Sequence, residues 1–103
     1  MDICFKNSKI RTICTSKKKA ITKYGKSNAD RLFLRLTHIT VADNLELLKT
    51  FPGRYHQLTG NRDGQWACTI QGGLRLIFEP MGDGSILLSE ITEVTIVDIV
   101  DYH

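Results

Sequence analysis

Gln65-Trp66-Ala67-Cys68-Thr69-Ile70-Gln71-Gly72-Gly73-Leu74-Arg75-Leu76-Ile77-Phe78-Glu79 reads as two strands joined by a glycine turn. Trp66, Cys68 and Ile70 alternate onto one face of the first strand. Leu74, Leu76 and Phe78 share a face of the second, with Arg75 on the opposite one. Upstream, Asn61-Arg62-Asp63-Gly64 has hairpin chemistry, because Asp-Gly tolerates positive φ, and predicts a further strand over 54–59. Downstream, a loop containing Pro80, Gly82, Asp83 and Gly84 leads to 92–101, which is β-branched and apolar on both faces, the pattern of a central strand covered on two sides.

The period is different before Pro52-Gly53. Met1 to Phe5 alternates weakly, as a short first strand does. Ile10, Ile13, Cys14, Ala20, Ile21 and Tyr24 then recur at helical spacing, with a break expected at Thr15-Ser16 and a glycine stop at Gly25. Ser27, with Asp30 three positions on, predicts the cap of a next helix. The stripe of that helix is Ala29, Leu32, Phe33, Leu36 and Ile39, and Arg31 and Arg35 fall on its other face. Asp43 with Glu46 opens a short third helical segment. Helices first and antiparallel strands afterwards give an α+β fold, with the N-terminal helices on one face of a small, mainly antiparallel twisted sheet. At 103 residues, 1–103 is read as a single domain.

Composition narrows the function classes. Hydrophobic residues at 42% and charged residues at 24% are globular proportions, which exclude a disordered chain. No apolar run approaches the roughly 20 residues of a membrane span, and the first residues lack the apolar core of a secretion signal, so a cytoplasmic protein is expected. Cys4, Cys14 and Cys68 form neither a Cys-x-x-Cys pair nor an even set, so reduced thiols filling core space are expected rather than a disulfide or zinc framework. Residues 1–50 hold eleven Lys and Arg against four acids, whereas 51–103 hold three Arg against seven acids. A basic half fits either a polyanionic partner, nucleic acid above all, or a solvated helix face.

Three stretches together carry a family resemblance. They are Pro52-Gly53-Arg54-Tyr55-His56-Gln57-Leu58-Thr59-Gly60, then Arg62-Asp63-Gly64-Gln65-Trp66 continuing to Leu74-Arg75-Leu76-Ile77-Phe78-Glu79, and the closing Asp101-Tyr102-His103. In this order and spacing the chain resembles the HigB branch of the RelE-like toxins, the toxin halves of bacterial toxin–antitoxin pairs. The resemblance implies a RelE-like fold and a ribosome-dependent mRNA endoribonuclease that inhibits translation and uses no metal or cofactor. Its implied partners are a helix-turn-helix antitoxin of the HigA kind, the ribosome and mRNA. No membrane is implied, and DNA is reached only through the antitoxin.

The resemblance also implies site residues. Cutting RNA without metal needs a base for the 2′-hydroxyl proton, an acid for the leaving 5′-oxygen and cations for the phosphoryl oxygens. His56 and His103 are the implied acid–base pair, with neither role assigned. Tyr102 orients the phosphate or stacks on a base, and Asp101 fixes a histidine tautomer or an arginine. Arg75 matches the family's arginine and stabilises the charged transition state; Arg62, which the resemblance does not supply, is a further candidate for that role from the hairpin. Lys17, Lys18, Lys19, Lys23 and Lys26 are the candidates for ribosomal RNA contact. Thr59 departs from the lysine of many relatives, so that lysine's role does not transfer. Competing readings are a catalytically weak RNA- or ribosome-binding domain and a module that binds only its antitoxin. The structural alternatives are an Arg75–Glu79 pair along one strand, and Trp66 and Cys68 as packing residues.

Overall fold

The computed structural model describes residues 1–82 and 84–102; Asp83 and His103 lie outside the described residues. Five strands form one mixed sheet: β1 (Asp2–Phe5), β2 (His56–Gln57), β3 (Trp66–Gln71), β4 (Leu74–Pro80) and β5 (Glu93–Asp101), in the order β1-β5-β4-β3-β2. Only the β1–β5 pair is parallel, with Asp2 opposite Glu93 and Phe5 opposite Ile96. Four helices precede the meander: α1 (Ser8–Thr15), α2 (Lys17–Tyr24), α3 (Lys26–Val41) and α4 (Leu45–Leu48). The expected break falls at Ser16, which ends α1 and caps α2 by accepting the Lys19 N–H at 3.3 Å. Gly25 ends α2 at φ 88°, as expected of a glycine stop.

Ala29, Leu32, Leu36 and Ile39 of α3 pack on Trp66, Cys68 and Ile70 of β3, Leu74, Leu76 and Phe78 of β4, and Val94 and Ile96 of β5. Alternation turns Ala67, Ile77 and Val97 to the other face, where they form a smaller cluster with Leu58 and Val100. The double cover expected for the last strand is therefore unequal: helices on one side, a hairpin loop on the other. A bulge between the Ile77–Asp98 and Phe78–Ile96 pairs carries β5 through this change of neighbours. None of the helices of the described residues is long and apolar enough to cross a membrane.

Four local expectations need correction. Arg35 is buried, not on the solvent face of α3, because it lies three residues after Leu32 and four before Ile39. Ser27 does not cap α3; the helix starts one residue earlier, and the Ser27 hydroxyl donates to Gln71 Oε1 at 3.1 Å. The cap of α4 is Asn44 rather than Asp43, its side chain accepting the Leu47 N–H at 2.8 Å. Finally, the strand predicted over 54–59 shrinks to His56–Gln57, because Arg54 has φ 59°, which no extended strand admits. The hairpin after it closes at Leu58 N–H to Gln65 C=O, 2.8 Å, over a wider turn containing a 3₁₀ segment at Gly60–Arg62.

Candidate functional site

The segment after α4 builds the site. Pro52-Gly53-Arg54 turns the chain sharply, with Gly53 at φ 129° and Arg54 at φ 59°. A side chain at Gly53 would press on Arg35 Nε and Tyr55 Cε2, both 3.0 Å from a Cβ placed there. Tyr55 then enters the core, its ring edge-on to Phe78 at 6.3 Å and its hydroxyl 3.3 Å from Arg35 C=O and 3.2 Å from His38 Nδ1. Burial pushes the Tyr55 phenol well above its usual range, so this hydroxyl stays protonated. With Tyr55 inward, its neighbours Arg54 and His56 face out.

They face a groove of about 470 Å³ lined by Arg54, Tyr55, His56, Thr69 and Arg75. Register explains the grouping. His56 is opposite Ala67, which is opposite Ile77; one step along, Thr69 is opposite Arg75, which is opposite Val100. All belong to the sheet face away from the helices. His56 Nδ1 lies 2.7 Å from the Arg54 carbonyl. A carbonyl only accepts, so Nδ1 carries the hydrogen and the neutral ring keeps its basic lone pair on Nε2. Arg75 is braced by hydrogen bonds from Nη1 to the carbonyls of Gly72 and Leu74, not by the Glu79 carboxylate.

The other residues singled out in the sequence lie elsewhere. Arg62 is paired through Nη2 with Asp98 Oδ2 at 2.8 Å and through Nη1 with Gln65 Oε1 at 3.0 Å, across the hairpin from β5. Asp101 lines a different depression with Lys23, Tyr24, Asn28 and Gln71. Tyr102 is exposed, and its N–H donates to Gly73 C=O at 2.9 Å, extending the ladder one residue so that alternation gives it the Arg75 face. His103 lies outside the described residues. The structure thus brings His56 and Arg75 together and places Arg62 and Asp101 outside their groove. Lys17, Lys18, Lys19, Lys23 and Lys26 are exposed on α2 and the start of α3, and none of them lines the groove. Two of them flank Asp30, Lys17 at 2.6 Å and Lys26 at 3.0 Å, and their hydrogen bonds hold that carboxyl below its usual range.

Two residues of this region, Arg35 and Arg54, are not among those the sequence singles out. Arg35 donates from Nε to Thr69 C=O at 2.7 Å and from Nη1 to Pro52 C=O at 3.0 Å, tying the turn to β3. Its position on the apolar stripe was the available signal. Arg54 carried none, because nothing local announces a left-handed arginine. Cys14 and Cys68 are buried, and burial pushes both thiols up to about 12, consistent with packing roles.

No protein-family model matches the sequence, and no curated protein matches it. Solved structures do. A YoeB/ParE toxin from Agrobacterium tumefaciens superposes with a TM-score of 0.65 at 11% identity, with all of both chains covered. A chain of a YoeB–YefM complex from Staphylococcus aureus gives 0.62 at 16% identity, covering 100% of this chain and 97% of that one. The structure of a YoeB dimer from the same organism gives 0.60 at 17%, with the same coverage. This is the fold of the RelE-like toxins. Likeness at such low identity is a likeness of fold, and these neighbours are YoeB and ParE proteins rather than members of the HigB branch.

Proposed function

We propose that the chain is the toxin of a type II toxin–antitoxin pair, a ribosome-dependent mRNA endoribonuclease of the HigB branch, acting in the cytoplasm. The observation that carries the reading is a histidine of defined tautomer beside an arginine, in an open groove on the sheet face that the helices leave uncovered. His56 Nε2 takes the proton of the substrate's 2′-hydroxyl. The 2′-oxygen attacks the adjacent phosphorus, the bond to the 5′-oxygen breaks, and His103 returns a proton to that oxygen. A 2′,3′-cyclic phosphate and a 5′-hydroxyl result. Arg75 meets the charge growing on the phosphoryl oxygens, and Tyr102 orients the phosphate or stacks on a base.

Arg62 and Asp101 act on this reading from outside the groove. The Arg62–Asp98 pair holds the hairpin beside the open face, and Asp101 anchors the strand end that bears Tyr102. The lysines of α2 and α3 contact ribosomal RNA through its phosphates, and a helix-turn-helix antitoxin neutralises the protein. Thr59, in place of the family's lysine, favours a second reading, a domain that binds ribosomes without cutting. Inducible expression in bacteria separates the two. The wild-type chain arrests growth and produces new mRNA 5′ ends, while His56→Ala relieves both. Salt-sensitive ribosome binding without new 5′ ends establishes the second reading instead.

A further inference from the structure

We propose that Arg54 is a phosphate-contacting cation of the groove, aimed there by its left-handed backbone. The inference rests on the function proposed above and deepens it by naming a contact to the same substrate phosphate.

Arg54 is the only non-glycine residue with positive φ among the described residues. An L-residue adopts this conformation against steric resistance, and such residues persist where their surroundings over-determine them. The surroundings here do so. Ahead of Arg54, Pro52 C=O accepts from Arg35 Nη1 and Gly53 C=O accepts the Thr69 N–H at 2.8 Å. Behind it, Tyr55 is buried against Phe78. The carbonyl of Arg54 itself accepts from His56 Nδ1. With both flanks pinned to the core and to β3, the reversal at Arg54 delivers its side chain to the groove shared with His56 and Arg75.

The arginines near this face differ in what holds them. Arg62 is engaged by Asp98 and Gln65, Arg75 by two carbonyls, and Arg35 by two more. Arg54 is exposed, and its guanidinium makes no hydrogen bond or ion pair among the described residues, nor does an acid line the groove. Its planar fork is available for two oxygens of one phosphate. One residue thus serves the site twice: its carbonyl sets the His56 tautomer, and its side chain grips the anion that His56 acts beside.

Glycine separates the two roles, since it accepts φ near 59° without resistance and lacks the guanidinium. Arg54→Gly is expected to raise Tm by about 4 °C. It should lower single-turnover cleavage on mRNA-programmed ribosomes by about 100-fold. It should also weaken binding of a 2′-O-methyl RNA hexanucleotide, followed by fluorescence anisotropy, about tenfold. Arg54→Lys, which keeps a charge but not the fork, should recover part of the binding. A glycine variant that melts higher yet cuts and binds like wild type overturns the contact, and one that melts lower overturns the strained turn. If the wild type cuts nothing, the proposed function fails, and the hexanucleotide still decides whether Arg54 holds phosphate.

Discussion

Opposite faces of the same strands meet different demands. Toward the helices, Phe78, Leu76, Ile70, Cys68 and Ile96 are sealed beneath α3. Away from them, Ala67, Ile77 and Val97 form a small patch under Leu58 and Val100, and Thr69, Arg75 and His56 take the positions beside it. Strand alternation makes this division possible within a few residues: β4 sends Leu74, Leu76 and Phe78 one way and Arg75 the other. A small domain can thereby devote one surface of its sheet to stability and, on the proposed function, the other to chemistry. Substitutions on the two surfaces should then affect different measurements.

The largest loss of stability is expected on the helix side. Phe78→Ala should cost about 3–5 kcal/mol, seen as a lower denaturation midpoint in urea, because it empties the centre of the core. A smaller loss follows at the seam between the faces. Arg35→Met should cost roughly 2–3 kcal/mol, since Pro52 C=O and Thr69 C=O lose their donor. A loss as large as that of Phe78→Ala would mean that the turn and the core melt as one unit.

On the open face the order reverses. His56→Ala and Arg75→Ala should each stay within about 0.5 kcal/mol of wild type in the same melts, yet relieve the growth arrest that the proposed function predicts for the wild type. A collapse of either variant would show that the division of labour is wrong.

Two finer effects sharpen the contrast. Burial, and behind it the Arg35 guanidinium, hold the His38 imidazole below its usual range. The unfolded chain therefore takes up this proton at higher pH than the folded one. The stability that neutral His38 confers is complete above about pH 6.5 and declines as pH falls below it. His38→Phe should flatten that slope in melts between pH 7.5 and 5.5. Least of all, a thiol reagent on the native protein should label Cys4, which is exposed, and leave Cys14 and Cys68 intact until unfolding.

Periodicity made the scaffold readable. The alternation in 65–79 and the helical stripe from Ala29 to Ile39 each state which face is buried, and the sheet and helix form accordingly. Charge alone puts Arg35 on the solvent face, whereas in the molecule two carbonyls satisfy its donors and its position on the stripe decides. The strand predicted over 54–59 was overextended for another reason. Arg54 is left-handed because Arg35, Thr69 and Tyr55 hold the chain around it, and those partners are distant in sequence. The resemblance singles out His56 and Arg75, but their sharing of one groove with Arg54 depends on register across β2, β3 and β4, which no single stretch encodes.

The parallel pairing of β1 with β5 has a consequence for biosynthesis. Asp2 leaves the ribosome well before Glu93, the residue it docks against. That contact closes a very long loop, so it is entropically late and slow to form. The outermost strand must wait unpaired while the helices gather, and a nascent chain lacks a finished sheet until its β5 residues have emerged. On the proposed function, a translating ribosome would thus be shielded from the product it is making for as long as that product remains incomplete.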